Sequence, residues 1–218
     1  MEVFHIINQY DVYDIANWFY NNNLKIQENT YESNLTLNKL LYFADSFNYV
    51  INGRKLISQE VVGYVDGPVY QDIYIDFKYN SMKLIKENHD SPDDGTVKLL
   101  KVINFMFGQS DNYKKLSDIT HKQSPWKNKK EDCEKVNYNP VLDLADFNKE
   151  EKTNIIELFN SYKALDLDNL LVAKIGNNVI IYTRDTKLTD EDLLELEALE
   201  KEEDSLFVEK IDGELVYG

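Results

Sequence analysis

The chain has 218 residues, of which 43% are hydrophobic and 29% charged, with a formal net charge of −15. That composition supports a packed core, argues against wholesale disorder, and offers no run of 18 apolar residues that would read as a transmembrane helix. The charge is uneven: residues 1–130 hold 15 Lys+Arg and 16 Asp+Glu, whereas residues 131–218 hold 9 and 23. Direct binding to nucleic-acid backbone is disfavoured, because phosphates need a cationic face. The acidic C-terminal part points to a solvated surface or to a basic partner.

The start, MEVFHIINQYDVYD, has no basic segment followed by an apolar one, so no signal peptide is expected. Cys133 is the single cysteine and has no internal disulfide partner, which with the missing leader points to the cytoplasm, or to export by a route without such a leader. Asp11 reads as an N-cap, and Val12, Ile15, Ala16 and Phe19 follow at helical spacing until Asn21-Asn22-Asn23. A polar loop is expected over 27–34. The strongest helix follows, LTLNKLLYFADSFNYVINGRKL, with Leu37, Leu40, Leu41, Ala44, Phe47, Asn48 and Ile51 on one stripe and Gly53 as a left-handed cap. Lys39, Tyr42 and Asp45 fall together on the opposite face, which predicts exposure.

A short strand is expected over 60–65, a turn at Asp66-Gly67-Pro68, and a helix over 69–80 in which Pro68 supplies the first turn. Ser91-Pro92-Asp93-Asp94 predicts a helix start with Ser91 as the cap. A further helix is expected over 116–122, ending before Ser124-Pro125-Trp126. Residues 127–140 read as a linker or a loop over the first domain. A helix over 149–162 comes next, then a hairpin in LLVAKIGNNVIIYT, a capped acidic helix from Thr189, and a second hairpin at Asp212-Gly213. The fold class is therefore α+β: a mainly helical N-terminal domain over 10–130, then a small acidic hairpin–helix–hairpin region over 140–218.

Set side by side, these blocks resemble the Panacea domain family, the SocA-like antitoxin domain. Leu37, Lys39, Leu40, Leu41, Tyr42 and Ala44 fit its "L-x-K-L-L-Y-x-A" helix. Gly53, Leu56, Gly67, Pro68, Val69 and Tyr74 fit the following elements. Leu116, Thr120, His121, Pro125 and Trp126 fit a later "L-x-x-x-T-H…P-W" block, and DVYDIANWF fits the first helix. The chain departs from the pattern at Asn38, where glutamine is common, and at Asp45-Ser46-Phe47. The resemblance implies a helical, non-enzymatic binding domain of phage or mobile-element origin, with no cofactor, that neutralises a toxin encoded nearby. A proteolytic adaptor, or an acidic inhibitor of a nucleic-acid-binding protein, is the alternative.

Candidate partner-binding residues are Lys39, Tyr42, Asp45, Asp66, Gly67, Pro68, Tyr70, His121 and Trp126. Each has a structural reading beside the functional one. Gly67-Pro68 punctuates a connection, and Trp126 pins a loop. His121, with Asp118 three residues earlier, lacks a nucleophile and reads as a hydrogen-bonded structural histidine rather than the base of a hydrolase. His5, His89, His121 and Cys133 lack metal-ligand spacing.

Overall fold

The computed structural model describes residues 9–79, 83–87, 89–109, 113–200, 202 and 205–218. Residues 1–8 of the stretch read for a leader, His5 among them, and the expected helix end at Asn80 lie outside them. The chain divides into two compact units, one running to Gly108 and resuming over Tyr113–Ala164, the other built on Leu165–Gly218. No described helix is long and apolar enough to cross a membrane.

The first unit is helical. Asp11 caps α1 (Val12–Asn22) by accepting from the Tyr13 amide, and α1 buries Val12, Ile15, Ala16 and Phe19. A short α2 (Leu24–Gln27), capped by Asn23, leads into α3 (Tyr31–Asn52). The loop expected over 27–34 is thus half helix. Thr30 and Ser33 form a reciprocal capping box that starts α3 earlier than its apolar stripe suggests. Gly53 ends α3 with φ of 73°, as its left-handed cap reading requires.

Every residue of α3 from Ser33 to Asn48 is buried. A helix buried all round is the centre of its unit, and α3 packs against α1, α2, α4, α6, α7 and α10. The remaining helices of the unit are α4 (Gln71–Tyr79), the short α5 (Lys83–Lys86), α6 (Asp94–Phe107), α7 (Tyr113–Lys122), α8 (Ser124–Lys127), α9 (Lys130–Cys133) and α10 (Lys149–Lys163). Helix α6 is capped by Asp93, not Ser91: the Asp93 carboxylate accepts from the Thr96 amide and from the Tyr10 hydroxyl. A carboxylate at that end also meets the positive helix terminus. Helix α10 packs on α3 and α6 within this unit. The Phe43 and Phe107 rings stack at 4.1 Å between α3 and α6.

Between α3 and α4 lies a hairpin of β1 (Val62–Tyr64) and β2 (Gly67–Val69), paired antiparallel with Gly63 opposite Pro68. Two expectations are corrected here. Pro68 does not open a helix but lies in β2. Gly67, whose place before Pro68 predicts extended backbone, instead has φ of 103°, a left-handed value that closes the two-residue turn Val65-Asp66.

The second unit is a four-stranded sheet in the order β3 (Leu170–Ile175), β4 (Asn178–Thr183), β5 (Leu206–Ile211), β6 (Glu214–Tyr217). Its hairpins are antiparallel and turn at Gly176-Asn177 and Asp212-Gly213. Asp212 and Gly213 both have positive φ, as a type I′ turn demands. Strands β4 and β5 are parallel and need a crossover, which α11 (Asp190–Glu197) supplies. Ile175, Ile180, Leu196 and Val208 form its core.

Candidate functional site

The signature residues converge on the hairpin β1–β2. From one side α3 holds it through successive polar side chains. Asn34 Nδ2 donates to the Tyr74 carbonyl at 3.1 Å. Asn38 accepts from the Tyr70 amide at 2.9 Å while its own amide nitrogen donates back to Asn34. Lys39 Nζ donates to the Pro68 carbonyl at 3.1 Å. Asp45 accepts from the Leu56 amide at 2.6 Å, the Ile57 amide at 3.2 Å and the Tyr70 hydroxyl at 2.7 Å. Lys55 adds a longer ion pair to Asp45 at 3.9 Å.

Lys39, Tyr42 and Asp45 are therefore not on a solvated face: each is 0% exposed. The sequence stripe pointed the wrong way because the centre of a helical unit has no solvent side. Burial sets their protonation. Desolvation pulls the Lys39 amine down from 10.5 to about 7, with the negative charge of Asp66 opposing. Burial also raises the Asp45 carboxyl, against the opposing effects of Tyr70, Lys55 and the two amides. The Tyr42 and Tyr70 hydroxyls are pushed up by the same cause.

From the other side α7 and α8 grip the hairpin. Ser117 donates to the Asp66 carbonyl at 3.0 Å, and Trp126 Nε1 donates to the Tyr64 carbonyl at 2.9 Å. His121 stacks on Trp126 with centroids 3.9 Å apart, and its Nε2 is buried without a hydrogen-bond partner. Desolvation, then the neighbouring Lys39 charge, lowers its pKa, with Asp118 opposing. His121 is thus a packed ring facing an indole.

Two glycines make this close approach feasible. A Cβ on Gly67 would lie 2.6 Å from Thr120 Oγ1 and 2.8 Å from Lys39 Nζ, and one on Gly63 would collide with the Cys133 sulfur. Cys133 is itself buried, which raises its thiol to about 11 and leaves it unreactive.

What remains exposed is the hairpin tip, Val65 and Asp66, beside Tyr31 at the start of α3. Val65 is 59% exposed and Tyr31 55%, and the Tyr31 hydroxyl donates to Asp66 Oδ2 at 3.1 Å. Under the tip is a cavity of about 160 Å³ whose lining includes Leu35, Lys39, Tyr64, Val69, Tyr74 and Lys135. Of the nine candidates, Asp66 alone is both at this rim and exposed. Gly67, Pro68 and Tyr70 are buried in or just after β2, and Trp126 anchors it from behind. Tyr31, Asn34 and Lys135 had no signal in the sequence, since Tyr31 and Asn34 fell in an expected loop and Lys135 in an expected linker.

Residues 37–127 match the family model for an antitoxin SocA-like, Panacea domain. That stretch is similar to an antitoxin-like domain and runs from the second turn of α3 to the end of α8. Helix α1 and the sheet-bearing second unit lie outside the match. Neither the curated proteins nor the solved structures yield a match.

Proposed function

We propose that this chain is a non-catalytic antitoxin: a cytoplasmic protein of phage or mobile-element origin that neutralises a partner toxin by direct contact. Its partner-facing surface in this reading is the β1–β2 tip, with Val65, Asp66 and Tyr31. The observation that carries it is the use made of the matched motif. Asn38, Lys39, Asp45, Ser117 and Trp126 hydrogen-bond to the hairpin, the residue next to it or the chain end that precedes it. A short two-stranded hairpin is marginal alone, so this many buried anchors argues for a preformed presenting element. The packed state of His121 supports binding over hydrolysis.

Co-expression tests it. The product of the adjacent gene is placed under tight control and colonies are counted with and without this chain. Relief of toxicity together with co-purification is expected. A harmless neighbour, or toxicity relieved without co-purification and with faster loss of the toxin, would replace direct blocking with delivery to a protease.

A further inference from the structure

A second cleft, of about 250 Å³, lies in the first unit and shares no lining residue with the hairpin-tip cavity. One wall is the outer face of α1. Val12, Ile15, Ala16 and Phe19 turn the apolar stripe of that helix inward. Asp14, Asn17, Trp18, Asn21 and Asn22, at i, i+3, i+4, i+7 and i+8, therefore form the opposite stripe, and all five line the cleft. The facing wall is the segment 89–92. The hydrogen-bonding groups are one-sided. The Asn17 amide nitrogen donates to the Ile85 carbonyl, that of Asn21 to the Asn17 side-chain oxygen, and that of Asn22 to the Trp18 carbonyl. The side-chain oxygens of Asn21 and Asn22 are left as acceptors on exposed residues. Asp14 uses one oxygen, Oδ1, on the Asp90 amide at 3.2 Å and on the His89 imidazole at 3.5 Å. Its other oxygen, and the whole carboxylate of the exposed Asp90, accept no hydrogen bond among the described residues. Among the described residues the lining holds no Lys or Arg, and His89 is a cation only when protonated.

Open acceptors, two carboxylates without a Lys or Arg partner and an indole suit a ligand with donors only, a positive charge and a flat face. A guanidinium carries five N–H donors and no acceptor, pairs with carboxylates through two parallel bonds, and stacks on aromatic rings, best on indole. We infer that this cleft takes an arginine side chain of a partner polypeptide. The guanidinium donates to Asp90, to the open oxygen of Asp14 and to the Asn21 side-chain oxygen, and lies against the Trp18 indole. A lysine ammonium has three donors and no plane, so it fills fewer of these positions. The inference needs neither the hairpin tip nor toxin neutralisation.

The test is a nuclear magnetic resonance titration of the full ¹⁵N-labelled chain, followed by the Trp18 indole N–H signal and assigned by its loss in Trp18→Phe. Four probes are compared: N-acetyl-arginine amide, its neutral isostere N-acetyl-citrulline amide, N-acetyl-lysine amide and methyl glucoside. The Trp18 signal is expected to move saturably with the arginine probe, and the citrulline and lysine probes should bind at least about tenfold more weakly. Asp90→Asn removes a carboxylate that holds no other described residue, so the fold is kept and arginine binding should weaken by about tenfold. Glu150→Gln, an exposed acid of α10, should leave it unchanged. Equal binding of arginine and lysine would reduce the cleft to a diffuse acidic surface. Saturable binding of methyl glucoside alone would make it a sugar site. Either result, arginine binding that persists unchanged in Asp90→Asn, or no response to any probe, overturns the inference. Colony rescue bears on the antitoxin reading and not on this site, so the two fail separately.

Discussion

Replacing Lys39 with methionine removes a buried amine and leaves a flexible apolar chain of similar length in its place. In the unfolded chain the amine titrates near 10.5, and in the folded chain near 7. The unfolded state therefore binds more protons between those values, and stability contributed at this site rises with pH through that window. Below about pH 7 the full penalty applies, on the order of 5 kcal/mol at about 1.36 kcal/mol per pH unit. Methionine escapes it but leaves the buried Pro68 carbonyl without its donor, at a cost of about 1–3 kcal/mol. The variant is thus expected to be more stable than wild type by about 2–4 kcal/mol at pH 6. Above pH 10.5 the sign should reverse, because wild type then keeps a neutral hydrogen bond without a charge penalty. Urea unfolding followed by tryptophan fluorescence reads this cleanly, since Trp18 and Trp126 both belong to the first unit. A wild-type-minus-variant difference that does not change between pH 6 and pH 10 would refute the reasoning.

Asp45→Ala leaves the Leu56 and Ile57 amides and the Tyr70 hydroxyl unpaired, and should cost about 2–4 kcal/mol in the same assay, with Asp45→Asn costing less because its carbonyl still accepts. Trp126→Phe keeps most of the stacking surface but removes the indole donor to the Tyr64 carbonyl, which still pairs with Gly67 in the hairpin, and should cost about 0.5–1.5 kcal/mol by urea unfolding. In the second unit, a hydrogen bond from Lys210 Nζ to Asp192 at 2.5 Å, followed by those from Thr189, holds the Asp192 carboxyl down to about 2. A depressed carboxyl stabilises fully above its ordinary 3.8 and loses that contribution as pH falls toward 2. The β5 amide signals should therefore change across that window in wild type, and at a higher pH in Lys210→Met, where only the Thr189 hydrogen bonds remain.

The sequence was most legible where local chemistry decides structure. Asp11, Gly53, Thr189 and Asp212-Gly213 do what capping and turn rules predict, because each satisfies orphan backbone groups or a positive φ within a few residues. The hairpin–helix–hairpin order of the second unit was readable for the same reason. The site was not readable at that level. The period of α3 separates an apolar stripe from Lys39, Tyr42 and Asp45, but partners distant in sequence cover the whole helix. Nothing local signals that Pro68, Tyr70 and Leu56 will receive those polar groups. Gly67-Pro68 was read as a helix entry because proline at a first turn is common. Its pairing with Gly63 depends on a strand of three residues, too short to show periodicity. Family resemblance located the motif, and the packing explains it as scaffolding for an exposed tip.

Contact between the hairpin tip and the toxin is decided by a matched pair of charge reversals. Asp66→Lys changes the exposed tip, and Glu191→Lys changes another exposed acid, on α11 in the second unit. Both are carried into the colony-rescue assay with protein levels and folding checked. Asp66→Lys is expected to lose both rescue and co-purification, whereas Glu191→Lys keeps them. Full rescue by Asp66→Lys, with rescue lost in Glu191→Lys, would contradict it and move the partner surface to the acidic unit.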